Sequence, residues 1–144
     1  MASKWIFSAL VGFLATVSPG HLAAETAGTA VAVLQQSILT ASGQQRVLAE
    51  GAPVATGDVV QTGPNGQAQL LFEDGTRIVV GRNSNLVIES ALFRADKTAE
   101  RLAINALRGS FRFISGRSAS AAYSIRTPTA TLAVRGTTFD FTVD

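Results

Sequence analysis

A chain of 144 residues, 47% hydrophobic and 15% charged, is long enough for one domain with a buried core and too short for two. It has no cysteine, which excludes disulfides, zinc–thiolate sites and a thiol nucleophile. The formal net charge is +2; setting Lys4 aside, the remaining eleven Lys and Arg are interspersed with ten Asp and Glu, so no basic patch points to nucleic acid.

The first 24 residues read as a secretory signal peptide. Lys4 supplies the positive start, Trp5–Val17 is apolar apart from Ser8 and Thr16, Pro19-Gly20 breaks any helix, and Leu22-Ala23-Ala24 offers a small residue at the cut. Cleavage after Ala24 is expected, although Leu22 fits the site less well than Ala or Val would. The apolar run falls short of the roughly 20 residues that cross a bilayer. Retention as an anchor is the other reading; after cleavage no transmembrane segment is expected. The only Trp, His and Met all lie before Glu25, so the mature chain is expected to lack all three.

Residues 25–45 are expected to hold an N-terminal lead, loose over Glu25–Ala30, and a first strand. Residues 46–144 form the expected β domain. From Val31 onward, apolar alternation is punctuated by glycines, which is the pattern of strands and turns rather than of helices. The expected strands are Arg46–Leu48, Val59–Thr62, Gln67–Phe72, Arg77–Val80, Leu86–Glu89, Leu102–Leu107, Ser110–Ile114, Ala122–Arg126, Thr131–Val134 and Thr138–Val143. The charged stretch Ala91–Arg101 has a composition that fits a helical turn or a solvated connector, and the connector is the favoured reading. The fold class is all-β: a compact β-solenoid-like arrangement or a two-sheet sandwich of short strands.

Two segments share the order Ala-x-Leu-x-apolar, a turn with Gly-Thr, then alternating apolar residues: Ala68–Val80 and Ala130–Phe141. For Ala68, Leu70 and Phe72 to share a face with Thr76, Ile78 and Val80, Phe72 must pair with Thr76. Glu73-Asp74-Gly75 then forms the loop, with Gly75 left-handed. In the second segment, pairing Val134 with Thr137 sets Leu132 opposite Phe139 across an Arg135-Gly136 turn.

Several catalytic constellations are missing. With no His after residue 24, Ser–His catalysis is excluded, and no Walker loop or Asp-x-Asp-x-Asp-Gly calcium run occurs. Asp58, Glu73, Asp74, Asp140 and Asp144 read as solvated turn acids rather than a glycosidase pair. Phe111 with Phe113, and Phe139 with Phe141, each present one face of a strand and read as core. In Val134-Arg135-Gly136-Thr137, Gly136 is expected to take positive φ and Arg135 to brace a neighbouring carbonyl or carboxylate, or else to meet a partner. Thr127-Pro128 marks a strand edge.

The stretch Arg126–Phe139, containing Thr127-Pro128 and Val134-Arg135-Gly136-Thr137-Thr138-Phe139, resembles the signature that closes the FecR domain. Upstream, Gly57-Asp58-Val59-Val60-Gln61-Thr62-Gly63, Phe72-Glu73-Asp74-Gly75-Thr76, Gly81-Arg82-Asn83-Ser84-Asn85-Leu86 and Gly109-Ser110-Phe111 resemble further pieces of that family, in its order. The resemblance implies a periplasmic module of Gram-negative envelope signalling. The best-known members join it to a cytoplasmic anti-sigma segment and a membrane helix, and relay the state of an outer-membrane transducer. Here a signal peptide stands in place of the first two, and nothing follows Asp144 that matches the transducer-contacting segment. A stand-alone exported member, truncated within its last strand, is therefore expected.

The expected function is non-enzymatic: a protein-binding and signalling module, periplasmic or secreted, with an envelope protein as partner and no small-molecule substrate. The alternatives are a structural or adhesive block of a longer exported protein and, more remotely, a cell-wall glycan hydrolase. No catalytic, cofactor or metal residue is assigned. The candidate structural or partner-contact residues are Thr127, Pro128, Val134, Arg135, Gly136, Thr137 and Phe139, with the turn Asp74, Gly75 and Thr76. The strand Thr138–Val143 is the expected binding edge, with Phe139, Phe141 and Val143 inward and Thr138, Asp140 and Thr142 outward.

Overall fold

The computed structural model describes residues 25–144; the expected signal peptide lies outside the described residues. Twelve strands follow in order: β1 Thr26–Leu34, β2 Ser37–Ala41, β3 Gln44–Val47, β4 Pro53–Ala55, β5 Val59–Thr62, β6 Gln67–Phe72, β7 Arg77–Val80, β8 Asn85–Phe93, β9 Ala99–Ile114, β10 Tyr123–Arg126, β11 Thr131–Leu132 and β12 Thr138–Val143. The only helical element among the described residues is one 3-10 turn, Ser120–Ala122. No helix there is long and apolar enough to cross a membrane.

The chain is all-β, but it forms neither stacked coils nor two separate sheets. All strands belong to one continuous sheet, ordered β3-β2-β5-β8-β9-β7-β6-β1-β4, with β10, β11 and β12 attached through β9. Every pairing is antiparallel except β9–β10, whereas the coils of a solenoid stack in parallel. The physical reason is the length of β9. Its first half pairs with β8 and β10, its second half with β7 and β12, so one strand is shared by two half-sheets. The sheet curls over about β9 into an open half-barrel. Leu39, Val60, Leu86 and Ile88 from one half meet Ala30, Leu70, Ile78 and Phe113 from the other in a single core.

The β6–β7 hairpin follows the apolar register. Leu70 pairs with Ile78, and Phe72 N donates to Thr76 O at 2.9 Å. The loop is Glu73-Asp74-Gly75, with Gly75 at φ 85°. The second half of the sequence near-repeat does not form the matching hairpin. Leu132 pairs with Ile125 of β10, and Phe139 pairs with Phe113 of β9. Between Leu132 and Thr138 the chain crosses from one half-sheet to the other, with Val134 buried in transit.

Two further expectations are corrected. Glu25–Ala30 is not a loose lead: β1 begins at Thr26 and pairs with both β4 and β6, burying Ala27 and Ala30. A register shift between Ala30 and Ala32 breaks the alternation that would have announced the strand. Its small residues have a packing reason, since a Cβ on Gly28 would stand 2.7 Å from the Leu71 carbonyl oxygen. The stretch Ala91–Arg101 is mostly strand. Only Arg94–Thr98 turns, closed by Arg94 N to Thr98 O at 2.8 Å, while Ala91 and Ala99 are buried on either side.

Candidate functional site

Apart from Thr127-Pro128, the family-like segments converge on two places in the fold. The first is the corner where the sheet bends. Thr62 ends β5, Ser84 lies in the turn between β7 and β8, and Gly109 sits at the bend of β9. Ser84 N donates to Thr62 Oγ1 at 2.9 Å, and Ser110 N donates to Ser84 Oγ at 3.1 Å. Gly109 has φ 112°, and a Cβ there would fall 2.5 Å from Ser84 Cα. The bend therefore requires glycine on both steric and conformational grounds. Three separated stretches, Gly57–Gly63, Gly81–Leu86 and Gly109–Phe111, thus serve one corner.

The second place is built around Asp74. The turn tip that reads as solvated is fully buried at Asp74 and Thr76. Asp74 Oδ1 accepts from Thr76 N at 2.9 Å, and Oδ2 accepts from Ser118 Oγ and Tyr123 Oη, each at 2.7 Å. Gly116 N donates to Thr76 Oγ1 and Tyr123 Oη, both at 3.1 Å, and Arg117 N donates to the Asp74 carbonyl at 2.9 Å. Burial raises the pKa of Asp74, but the hydrogen bonds from Ser118, Tyr123 and Thr76 outweigh it and hold the group below its ordinary value. The buried charge is satisfied by inward-facing donors, which is the arrangement of a clasp. It ties the β6–β7 turn to the segment after β9 and to the start of β10.

The Val134–Thr137 crossover docks on the same segment. Ser115 N donates to the Thr137 carbonyl at 2.8 Å, and Ser115 Oγ donates to the Gly136 carbonyl at 3.3 Å. Gly136 has the expected positive φ, 79°. Asp74 and Thr76 are therefore joined to Gly136 and Thr137 through Ser115-Gly116. Thr127 and Pro128 lie elsewhere, in the turn between β10 and β11. Phe139 is half-buried, stacked on Phe113 at 5.5 Å. Arg135 is exposed and makes no ion pair or side-chain hydrogen bond among the described residues, so it braces nothing.

Two other acids depart from the solvated reading. Asp58 is buried and accepts from Ala55 N at 2.9 Å; burial pushes its pKa up against the opposing pull of that bond and of Arg46. Asp140 is exposed but paired. It faces Arg112 across β12 and β9 and takes both guanidinium bonds, from Nε at 2.7 Å and Nη2 at 2.9 Å. Glu73 and Asp144 are exposed.

Sequence reasoning did not single out Ser118, Tyr123, Thr62 or Ser84 for these roles. Tyr123 carried one signal, being the only tyrosine in a chain whose other aromatics after residue 24 are all phenylalanine. A lone hydroxyl on a core-facing aromatic implies a buried polar partner. Ser118, in a run of small residues, carried none.

A family model for the FecR protein matches residues 58–144. The chain belongs to the FecR family. The matched range spans both the corner and the clasp, while β1 to β4 precede it, and Ala30 of β1, Leu39 of β2 and Val54 of β4 share the same core. No curated protein matches the chain, and neither does any solved structure.

Proposed function

We propose that this FecR-family chain is an exported, non-enzymatic module of the cell envelope that signals by binding another protein. Family membership over residues 58–144 carries the reading. The distribution of polar groups supports it. The one buried acid with several hydroxyl neighbours, Asp74, spends its oxygens on internal donors. The unengaged Arg135, by contrast, lies at the surface beside the clasp. The proposed location is the periplasm or the medium, with cleavage after Ala24.

Two measurements test this. Protein recovered from the periplasm should show tyrosine emission alone, from Tyr123; tryptophan emission would mean that Trp5 is retained and the cut does not occur. A photo-crosslinker at position 135 should capture one envelope protein reproducibly. The same probe at position 47, on the far edge strand where Val47 is 79% exposed, should not. Equal capture from both positions would refute a discrete binding surface at the family motif.

A further inference from the structure

The curled sheet has two seams, and they differ. At one, the segment from Leu48 to Ala52 crosses between the half-sheets. Leu48 N donates to Ser37 O at 2.9 Å, Gly51 N to Ala30 O at 2.8 Å, and Ala30 N to Ala52 O at 2.9 Å. At the other, β11 and β12 have no register with each other among the described residues. A cleft of about 440 Å³ opens there, with Thr127, Pro128 and Leu132 on one wall and Phe141, Thr142 and Val143 on the other. The first wall is preformed: Thr127 N donates to Ala130 O at 2.8 Å, and Ala130 N donates to Thr127 Oγ1 at 3.1 Å.

Among the described residues, the β12 edge facing this seam has no strand partner. Ser115 N donates to Thr137 O, which makes that pair a hydrogen-bonded one. In an antiparallel ladder the pattern repeats every second residue. Phe139, Phe141 and Val143 therefore direct their backbone groups at β9, while the N–H and C=O of Thr138, Asp140 and Thr142 point away from it. Phe139, Phe141 and Val143 pack on the core but are only half-buried. The expected inward and outward faces of the strand are thus as the alternation requires, and its inward row is left partly open.

We propose that this open seam receives an extended strand from a partner protein, paired to the free edge of β12 and carrying a basic residue opposite Asp140 between apolar neighbours. The inference rests on the binding-module reading above and specifies its partner. Three features select this occupant. An edge of alternating unpaired N–H and C=O groups is completed by another strand. The half-buried Phe139–Phe141–Val143 row lies on the inner face, so partner residues opposite it must be apolar. Asp140 lies on the outer face, where a cation opposite it would add to the Arg112 pair. A second copy of the chain fits poorly: the antiparallel register that uses all three outward residues sets Asp140 directly against its counterpart.

The probe is a short synthetic peptide of alternating valine and threonine with lysine at its centre, compared with one carrying glutamate there. The lysine peptide should bind the full chain about five- to ten-fold more tightly than the glutamate peptide. Thr142→Pro, which removes an edge N–H that makes no bond to β9, should weaken binding about ten-fold without shifting the melting temperature. Asp140→Lys should reverse the preference between the two peptides. Equal binding of both peptides, or binding indifferent to both substitutions, would overturn the inference. A partner crosslinked from position 135 and still captured by the Thr142→Pro protein would overturn the seam while leaving the binding-module reading intact. Peptide binding at the seam with no crosslinked partner would uphold the seam and refute that reading.

Discussion

Removing the carboxylate of Asp74 should be among the most damaging single changes in this domain. In Asp74→Ala, Tyr123 Oη, Ser118 Oγ and Thr76 N each lose an acceptor. Hydrogen bonds to a charged acceptor contribute about 1.5–3 kcal/mol each. Ser118 is only half-buried and can turn to water, which leaves two buried donors stranded. The expected loss is about 3–5 kcal/mol, a large share of the roughly 5–15 kcal/mol that holds a domain of this size together. Asp74→Asn keeps the shape and one acceptor oxygen, and should cost about 1–2 kcal/mol.

The pH dependence separates this clasp from a packing effect. Because the folded pKa of Asp74 is depressed, its stabilisation is fully present above the unfolded value near about 4 and is lost as pH falls through the folded value. Urea titrations followed by far-ultraviolet circular dichroism, at neutral pH and in steps into acid, read both quantities. Asp74→Asn should flatten the acid limb. Asp58 has the opposite sign: raised by burial, its contribution is fully present below the unfolded value and is lost as pH rises through the folded value. The Asp58→Asn protein should therefore lack a gain in stability on mild acidification. An Asp74→Ala domain within about 0.5 kcal/mol of the parent, or an acid limb that Asp74→Asn leaves untouched, would refute the clasp.

Gly109→Ala should be worse than an ordinary glycine substitution, because it adds a Cβ 2.5 Å from Ser84 Cα at φ 112°. We expect at least about 3 kcal/mol by denaturant melting, and a loss below about 1 kcal/mol would mean the corner relaxes freely. Gly136→Val should cost about 1–3 kcal/mol from φ alone, since nothing lies within 4 Å of the added Cβ. Arg135→Ala should stay within about 0.5 kcal/mol of the parent; a larger effect would show that the guanidinium holds the fold rather than facing a partner.

The sequence by itself determined the strands with clean alternation and the β6–β7 hairpin, because a side-chain period of two fixes both the face and the loop length. Gln67–Phe72, Arg77–Val80, Val59–Thr62 and Thr138–Val143 carry that signal without interruption, and their bounds follow from it. It also determined the family, since the glycine-centred segments keep their identity and order along the chain. Local pattern could not reveal β1, where a register shift and a run of small residues hide the alternation. Nor could it join Leu102–Leu107 to Ser110–Ile114, because Gly109 reads as a turn in one dimension and acts as a bend within one strand in three. The two solutions to the Gly-Thr near-repeat look alike for the same reason. Only the tertiary structure decides that the first turns back on itself and the second crosses between half-sheets. The acids show the limit most directly. Asp74 and Glu73 are neighbours in the same turn, yet Asp74 is enclosed and Glu73 is solvated. What separates them is Tyr123, Ser118 and Gly116, more than 40 residues away in the chain, and burial of a charge depends on who arrives there in space.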